Sequence, residues 1–282
     1  MSVGSDHPVT RPAGEIAKLA AMLRRDFRIA LSYRTAFIAD IVNIAAQIVM
    51  FGFIGRLVDP RLLPTYGSSR ATYMGFVAIG IAVTALMTVG TGRMTTAIRG
   101  EQMTGTLEML LLTPTRLSTL QLGWIVYDLL YVPVRTAGFL ILVTALFGVR
   151  FAVSGIVPAS ALLLAFVPFV WGIGAGSAGA MLTFRRGGGI FGYATMALAF
   201  LSGAYVPLDI FPTWVAGLQD LNPVAATLDG LRRALIGGGG WAAVAPHVNV
   251  VLPVSACVFL LGIGVFRIAL RRELRAGSVG QY

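Results

Sequence analysis

Cysteine occurs once in the 282 residues, at Cys257, and histidine twice, at His7 and His247. One cysteine excludes an intrachain disulfide, and two histidines exclude a His-rich metal site. Lysine is also single. Of the 22 basic residues 21 are arginine, and Lys18 lies in GEIAKLA with no glycine-rich turn before it, which excludes a phosphate-binding loop of the GK[ST] type. Charge itself is scarce, at 12% of residues against roughly one quarter in soluble chains. Apolar residues make up 56% and mean hydropathy is +0.80, too little polar surface to wet a globule of this size. The first 34 residues hold Lys18, Arg24, Arg25, Arg28 and Arg34 and no early apolar core, so a cleaved secretory signal is not expected and the N-terminus should stay in the cytoplasm.

What the chain does have is long apolar runs. About 20 helical residues cross a bilayer core of roughly 30 Å, and six segments qualify. They are Thr35 to Gly55, Ala71 to Gly92, and stretches within Leu117 to Val149, Phe151 to Phe184, Gly187 to Leu208 and Pro246 to Phe266. None shows the ten-residue alternation of a transmembrane β-barrel. The expected fold is therefore an all-α membrane protein with six transmembrane helices. With the spans alternating from a cytoplasmic N-terminus, fifteen basic residues fall inside, six fall outside (Arg56, Arg61, Arg70, Arg150, Arg232 and Arg233) and Arg135 lies within a span. By the positive-inside rule both termini are cytoplasmic.

Before the first span, Ile16, Leu19, Ala20, Leu23, Phe27, Ala30 and Leu31 recur at helical spacing, with Lys18, Arg25, Arg28 and Ser32 opposite. This pattern predicts an amphipathic interfacial helix lying in the plane of the membrane surface. The third segment is too long for its task. A helix from Thr115 to Val149 would run about 50 Å, so the part around Leu117 to Tyr127 should project from the membrane or tilt steeply. The external stretch 208–245 carries Pro212, Pro223 and a four-glycine end. Its apolar pieces are too short to span, and with Trp214 and Trp241 they predict short re-entrant or interfacial helices between spans five and six.

Catalytic motifs fail on context. GIGAGSAG at Gly172 to Gly179 matches GxGxxG in form, but it lies inside a charge-free run of 34 residues with no strand before it, so helix packing through Gly172 and Gly176 is the better reading. No Ser, His and Asp set or paired carboxylate lies in one local segment. Asp128 and Arg135, seven residues apart, sit about 10 Å from each other along the axis, and each is expected to pair with another helix. Polar stripes at Asp40, Asn43 and Gln47 and at Thr84, Thr88, Thr91 and Thr95 should avoid lipid, as helix contacts or as a path.

The segment between spans two and three, RGEQMTGTLEMLLLTPTR (Arg99 to Arg116), reads as a short helix bounded by Gly100 and Gly105 before it and Pro114 after it. Leu107, Leu110 and Leu111 form an apolar ridge, with Glu108 in the first turn. A ridge this apolar between two spans calls for a partner protein.

That string resembles the coupling-helix region of ATP-binding-cassette (ABC) type-2 exporter permeases, through Glu101, Gly105, Thr106, Leu107, Glu108, Leu110, Leu111, Thr113 and Pro114. A second stretch, SGAYVPLDIFPTW followed by LNPVAATLDGLRRALIGG, is similar to the family's segment after span five, through Gly203, Pro207, Pro212, Asn222, Pro223 and Arg232. The resemblance implies a permease subunit that binds no cofactor itself. ATP and Mg would sit on a separate nucleotide-binding ATPase present in two copies, and a second permease copy would complete a homodimer in the cytoplasmic (inner) membrane. No nucleic-acid partner is implied. A translocation path lined mainly by spans one, two and five would make Asn43, Gln47, Thr84 and Thr88 path residues. The cargo implied is an amphipathic or lipophilic compound moved outward. A polysaccharide or glycolipid exporter, and from another class an ion-coupled secondary transporter using Asp40 or Asp128, are the alternatives. The expected organisation is a disordered tail at 1–12, the interfacial helix at 13–33, the transmembrane domain at 34–271 with its coupling segment at 99–116, and a cytoplasmic tail at 272–282.

Overall fold

The computed structural model describes residues 14–276 apart from Tyr33, Ser68, Pro114, 185–187 and 211–221, with several residues, Glu108 and Leu111 among them, described in backbone only. The expected N-terminal tail, Arg185, Arg186, Pro114, Pro212 and Trp214 lie outside the described residues. In chain order the helices are α1 (Glu15–Ser32), α2 (Arg34–Leu57), α3 (Tyr73–Met103), α4 (Leu107–Leu112), α5 (Leu117–Phe147), α6 (Ile156–Phe184), α7 (Gly188–Leu201), α8 (Pro223–Leu235) and α9 (Gly240–Ala276). Between α2 and α3 a two-stranded antiparallel hairpin pairs β1 (Thr65–Tyr66) with β2 (Ser69–Arg70).

Among the described residues five helices are long and apolar enough to cross a bilayer, namely α2, α3, α5, α6 and α9. The chain is thus an all-α, multi-pass membrane protein. The expected fifth crossing, Gly187 to Leu208, is shorter than its apolar run. Its helix, α7, has 14 residues, about 21 Å at 1.5 Å per residue, less than the hydrocarbon thickness. The reason is a turn at Ser202–Gly203, where Gly203 takes φ +79°. The two neighbouring long helices overrun their predicted spans instead. α3 continues straight through Gly100 to Met103, because a lone glycine inside a helix costs only about 1 kcal/mol and does not end it; the break comes at Gly105. α9 extends through Pro246 and Pro253, as membrane helices tolerate proline where neighbours satisfy the freed backbone.

Packing is centred on α3 and α6. Buried side chains fill 67% of the most apolar window of α3 but only 11% of that of α2, which makes α2 the peripheral span. The most extensive contact joins α6 to α9, and glycine makes it possible. A Cβ on Gly262 would stand 1.9 Å from the Gly172 carbonyl oxygen, and one on Gly172 would stand 2.4 Å from that of Val258. On its other side α6 meets α3, where a Cβ on Gly174 would stand 2.4 Å from the Gly90 oxygen. The GIGAGSAG run is therefore a close-packing surface, carried by Gly172 and Gly174. Gly176 meets only an ordinary contact with Phe191 at 3.8 Å.

The early part of α5, expected to project or tilt, instead packs inside the bundle, with Leu120, Trp124 and Ile125 buried beside Ala178 and Leu182 of α6 and Phe266 of α9, and α1 lies against it. A Cβ on Gly123 would come within 2.2 Å of Met22 Sδ, so the missing side chain sets how closely the two helices approach. The inward face of α1 is not its apolar stripe. Asp26 is buried and Met22 and Leu23 half-buried, while Ile16 (84% exposed), Phe27 and Leu31 face outward. A helix that docks by one edge and leaves its apolar residues free is suited to a membrane surface.

Candidate functional site

Three arrangements bring together residues singled out in the sequence. The first is the elbow between α3 and α5. α3 ends in a Schellman turn. Thr106 N–H donates to the Glu101 carbonyl (2.9 Å), Gly105 N–H to that of Gln102 (2.9 Å), and Gly105 holds φ +69°, the left-handed region glycine enters without penalty. The Glu101 carboxylate ties the elbow to the surface helix. It accepts the Thr106 hydroxyl through Oε2 and the Arg25 guanidinium of α1 through Oε1 at 3.4 Å. Leu107, 3% exposed, packs inward among Met94, Ile98, Leu120 and Trp124.

The ridge expected to meet a partner is thus partly internal. Leu107 and, in part, Leu110 serve the chain's own core, while Met103 (71%), Met109 (69%) and Leu112 (85%) stand exposed. Six residues of α4 turn only about one and two-thirds times, so a leucine run cannot place every member on the outer side. Glu101, Gly105, Thr106 and Leu107 fix the shape of the elbow, and the outward surface falls to residues between them. Exposed methionine amid polar termini was the available signal for that surface.

The second arrangement lies at the opposite end. Asn222 caps α8, its Oδ1 accepting Val224 N–H (3.0 Å) and its Nδ2 donating to the Ser202 hydroxyl (2.8 Å), with Pro223 at the first helical position. Pro207 is buried beside the preceding turn. Arg232, expected as an external positive charge, is 3% exposed. Its Nη2 donates to the carbonyl oxygens of Gly203 (2.9 Å), Phe76 (3.2 Å) and Ala204 (3.2 Å), and its guanidinium carbon stands 3.4 Å from the centre of the Phe76 ring. The reason for a buried arginine is the turn after α7. A Cβ on Gly80 would stand 1.8 Å from Ala204 O, so this non-helical backbone reaches α3 seven residues past its start, about 10 Å along its axis. Irregular backbone at that depth must be satisfied internally, and Arg232 supplies the donor. Beside it Asp229 accepts from Arg233 Nε (2.7 Å) and faces His247 Nε2 (2.9 Å).

The third arrangement is the set of intramembrane charges and polar stripes. Asp128 and Arg135 do not bridge each other. Asp128 pairs with Arg93 of α3, and Arg135 Nη2 meets Asp40 Oδ1 of α2 at 2.7 Å, where the Tyr131 hydroxyl also donates to Asp40 Oδ2 (3.0 Å). Each span-borne acid is thus neutralised across a helix contact. The threonine stripe bonds its own helix. Thr84 donates to Gly80 O, Thr88 to Thr84 O and Thr95 to Thr91 O, and Thr95 also meets Ser177 of α6 at 3.0 Å. Thr91 and Thr95 are buried helix contacts, whereas Thr88 stays exposed. On α2, Gln47 donates to Asn43, with Asn43 exposed and Gln47 turned toward Arg135 and Thr136. Within one chain, then, Asn43 and Thr88 are the two path candidates left on the surface.

Among the described residues no group of His, Cys, Asp and Glu could hold a metal ion. No curated protein matches the chain. A family model described as ABC-2 type transporter matches residues 17–236, from the third residue of α1 to the residue after α8, and the chain belongs to that family.

Proposed function

We propose that this chain is the permease subunit of an ATP-driven exporter, coupled to a separate ATPase through the elbow and moving an amphipathic or lipophilic compound outward. The observation that carries the reading is the elbow itself. Glu101, Gly105, Thr106 and Leu107 hold a two-turn knob rigidly to α1, α3 and α5, so force applied at Met109 and Leu112 would move the spans rather than bend the loop. On this reading the α1 end is cytoplasmic, Glu108, Leu111 and Pro114 complete the docking surface, and nucleotide and Mg are held by the ATPase pair. The 201–210 turn completes a sixth crossing that α7 begins, with the external segment around Pro207, Asn222 and Pro223 re-entering from outside.

A second copy would lie along α2, whose Ile38, Ile41, Val42, Val49, Met50 and Phe53 are at least half exposed. Asn43 and Gln47, with Thr84 and Thr88, would then border the path between copies. In the test, the tagged chain is purified from its native membranes. It should bring down an ATP-hydrolysing subunit, and the pair Met109→Glu and Leu112→Glu should abolish capture and ATP-dependent export while yield and gel-filtration profile stay unchanged. Undiminished capture by that double variant would overturn the coupling assignment.

A further inference from the structure

A cleft of about 1030 Å³ opens between α1, the start of α2, the last third of α3 and the first half of α5. It lies at the α1 end. That volume is at the upper limit for sites that hold drug-sized ligands. Four carboxylates line it, those of Asp26, Asp40, Glu101 and Asp128, against the guanidiniums of Arg25 and Arg93, while Arg135 holds Asp40 from an adjoining position. With every pair counted, four acids face three bases, so one negative charge is left uncompensated where membrane and protein limit solvation.

The rest of the lining suits a cation with an apolar body. Tyr127 and Tyr131, stacked at 5.7 Å with planes 11° apart, line it as a pair of aromatic rings, and Phe27 (54% exposed) and Leu31 (65% exposed) supply apolar surface. Ring faces attract ammonium groups, by about 0.5–2 kcal/mol each. An independent observation concerns Trp124. It forms part of the wall, is 2% exposed, and its indole N–H meets no acceptor among the described residues. The indole is thus a buried part of the wall, close enough to the acids to report on what enters the cleft.

We infer that this cleft binds an amphipathic organic cation, an amine or quaternary centre attached to an apolar body, and that it loads cargo from the membrane surface. The loading role rests on the export reading; the binding chemistry does not. Phe27 and Leu31 belong to the apolar, outward part of α1, so a compound partitioned into the interface would reach the acids along that helix.

For the test, Trp171→Phe, Trp214→Phe and Trp241→Phe leave Trp124 as the only tryptophan. The full chain in phosphatidylcholine nanodiscs is titrated with tetraphenylphosphonium and with tetraphenylborate, ions of matched shape and opposite charge. Trp124 fluorescence should quench saturably with the cation and not with the anion. Asp26→Asn, which leaves Arg25 its bridge to Glu101, should weaken cation binding at least tenfold. Gly100→Phe, whose Cβ would meet nothing within 4 Å, should do the same by filling space while the variant's gel-filtration profile matches the parent's. Equal saturable quenching by both ions, or undiminished affinity in either variant, would overturn the inference. Saturable binding by a chain that exports nothing with ATP would leave the site standing and remove its loading role. Export without saturable binding would overturn the site and leave the export reading standing.

Discussion

Arg232 joins α8, the start of α3 and the turn after α7 through one nitrogen and one ring contact. Removing it would leave three carbonyl oxygens short of a donor at membrane depth, and each lost hydrogen bond to a charged group is worth about 1.5–3 kcal/mol. Arg232→Met should therefore lower the stability of the purified chain by roughly 3 kcal/mol or more, read as a thermal midpoint several degrees lower by fluorescence-detected gel filtration. Arg232→Lys should not restore it, because an ammonium cannot lie flat on Phe76 while reaching three oxygens. A lysine variant as stable as the parent would contradict the clamp. One turn away Asp229 offers a pH handle. Burial raises its pKa, but hydrogen bonds from His247 and Arg233 outweigh burial and leave the carboxyl below the ordinary carboxylate range. A depressed acid stabilises the fold above its unfolded pKa and loses that contribution as pH falls through the folded value. Stability of this end should accordingly drop below about pH 4, and Asp229→Asn should flatten the acid limb of a midpoint-against-pH curve.

Glycine decides several features of the elements, with opposite signs at neighbouring positions. Gly100 lies inside α3 with open space around it, so Gly100→Ala should stabilise by about 0.5–1 kcal/mol through helix propensity. Gly105 has equally open space but φ +69°, and Gly105→Ala should destabilise the elbow by about 1–2 kcal/mol. The two thermal midpoints should move in opposite directions from the parent, and a common direction would mean that the elbow does not form as described. In sequence both read as breakers, because composition reports that a glycine is present and not which backbone angle it adopts. The same limit applied to the ridge. Leucine spacing revealed the short helix, but with fewer than two turns the periodicity could not say which leucines face inward, and Leu107 went to the core. The packing role of GIGAGSAG was legible because its setting in an uncharged run left no competing use. Which glycines touch depends on the offset of α9, and that information resides in Gly262, ninety residues downstream of Gly172.

Across the whole molecule, the apolar runs located five of the crossings, and the resemblance carried by the segment from Glu101 to Pro114 pointed to transport. What could not be read was where the chain leaves regular helix at depth. The run from Gly187 to Leu208 is as apolar as its neighbours, and only the Arg232 contacts reveal that its backbone turns inside the bundle. Those contacts also explain why Arg232 misled the orientation argument, which counts arginines by position and not by burial. With Arg232 set aside, the α8 end retains Arg56, Arg61, Arg70, Arg150 and Arg233, while the α1 end still carries the larger basic share, including Arg99, Arg116, Arg271, Arg272 and Arg275. On the positive-inside rule the α1 end is expected to face the cytoplasm. The chain has one cysteine, Cys257 on α9, which allows a clean test in the background Cys257→Ser. Arg61→Cys, in the segment between α2 and α3, should react with a membrane-impermeant maleimide on intact cells, whereas Met109→Cys on α4 should react only after lysis. The inverse labelling pattern would turn the molecule over in the membrane, moving the elbow outside and beyond the reach of any cytoplasmic ATPase.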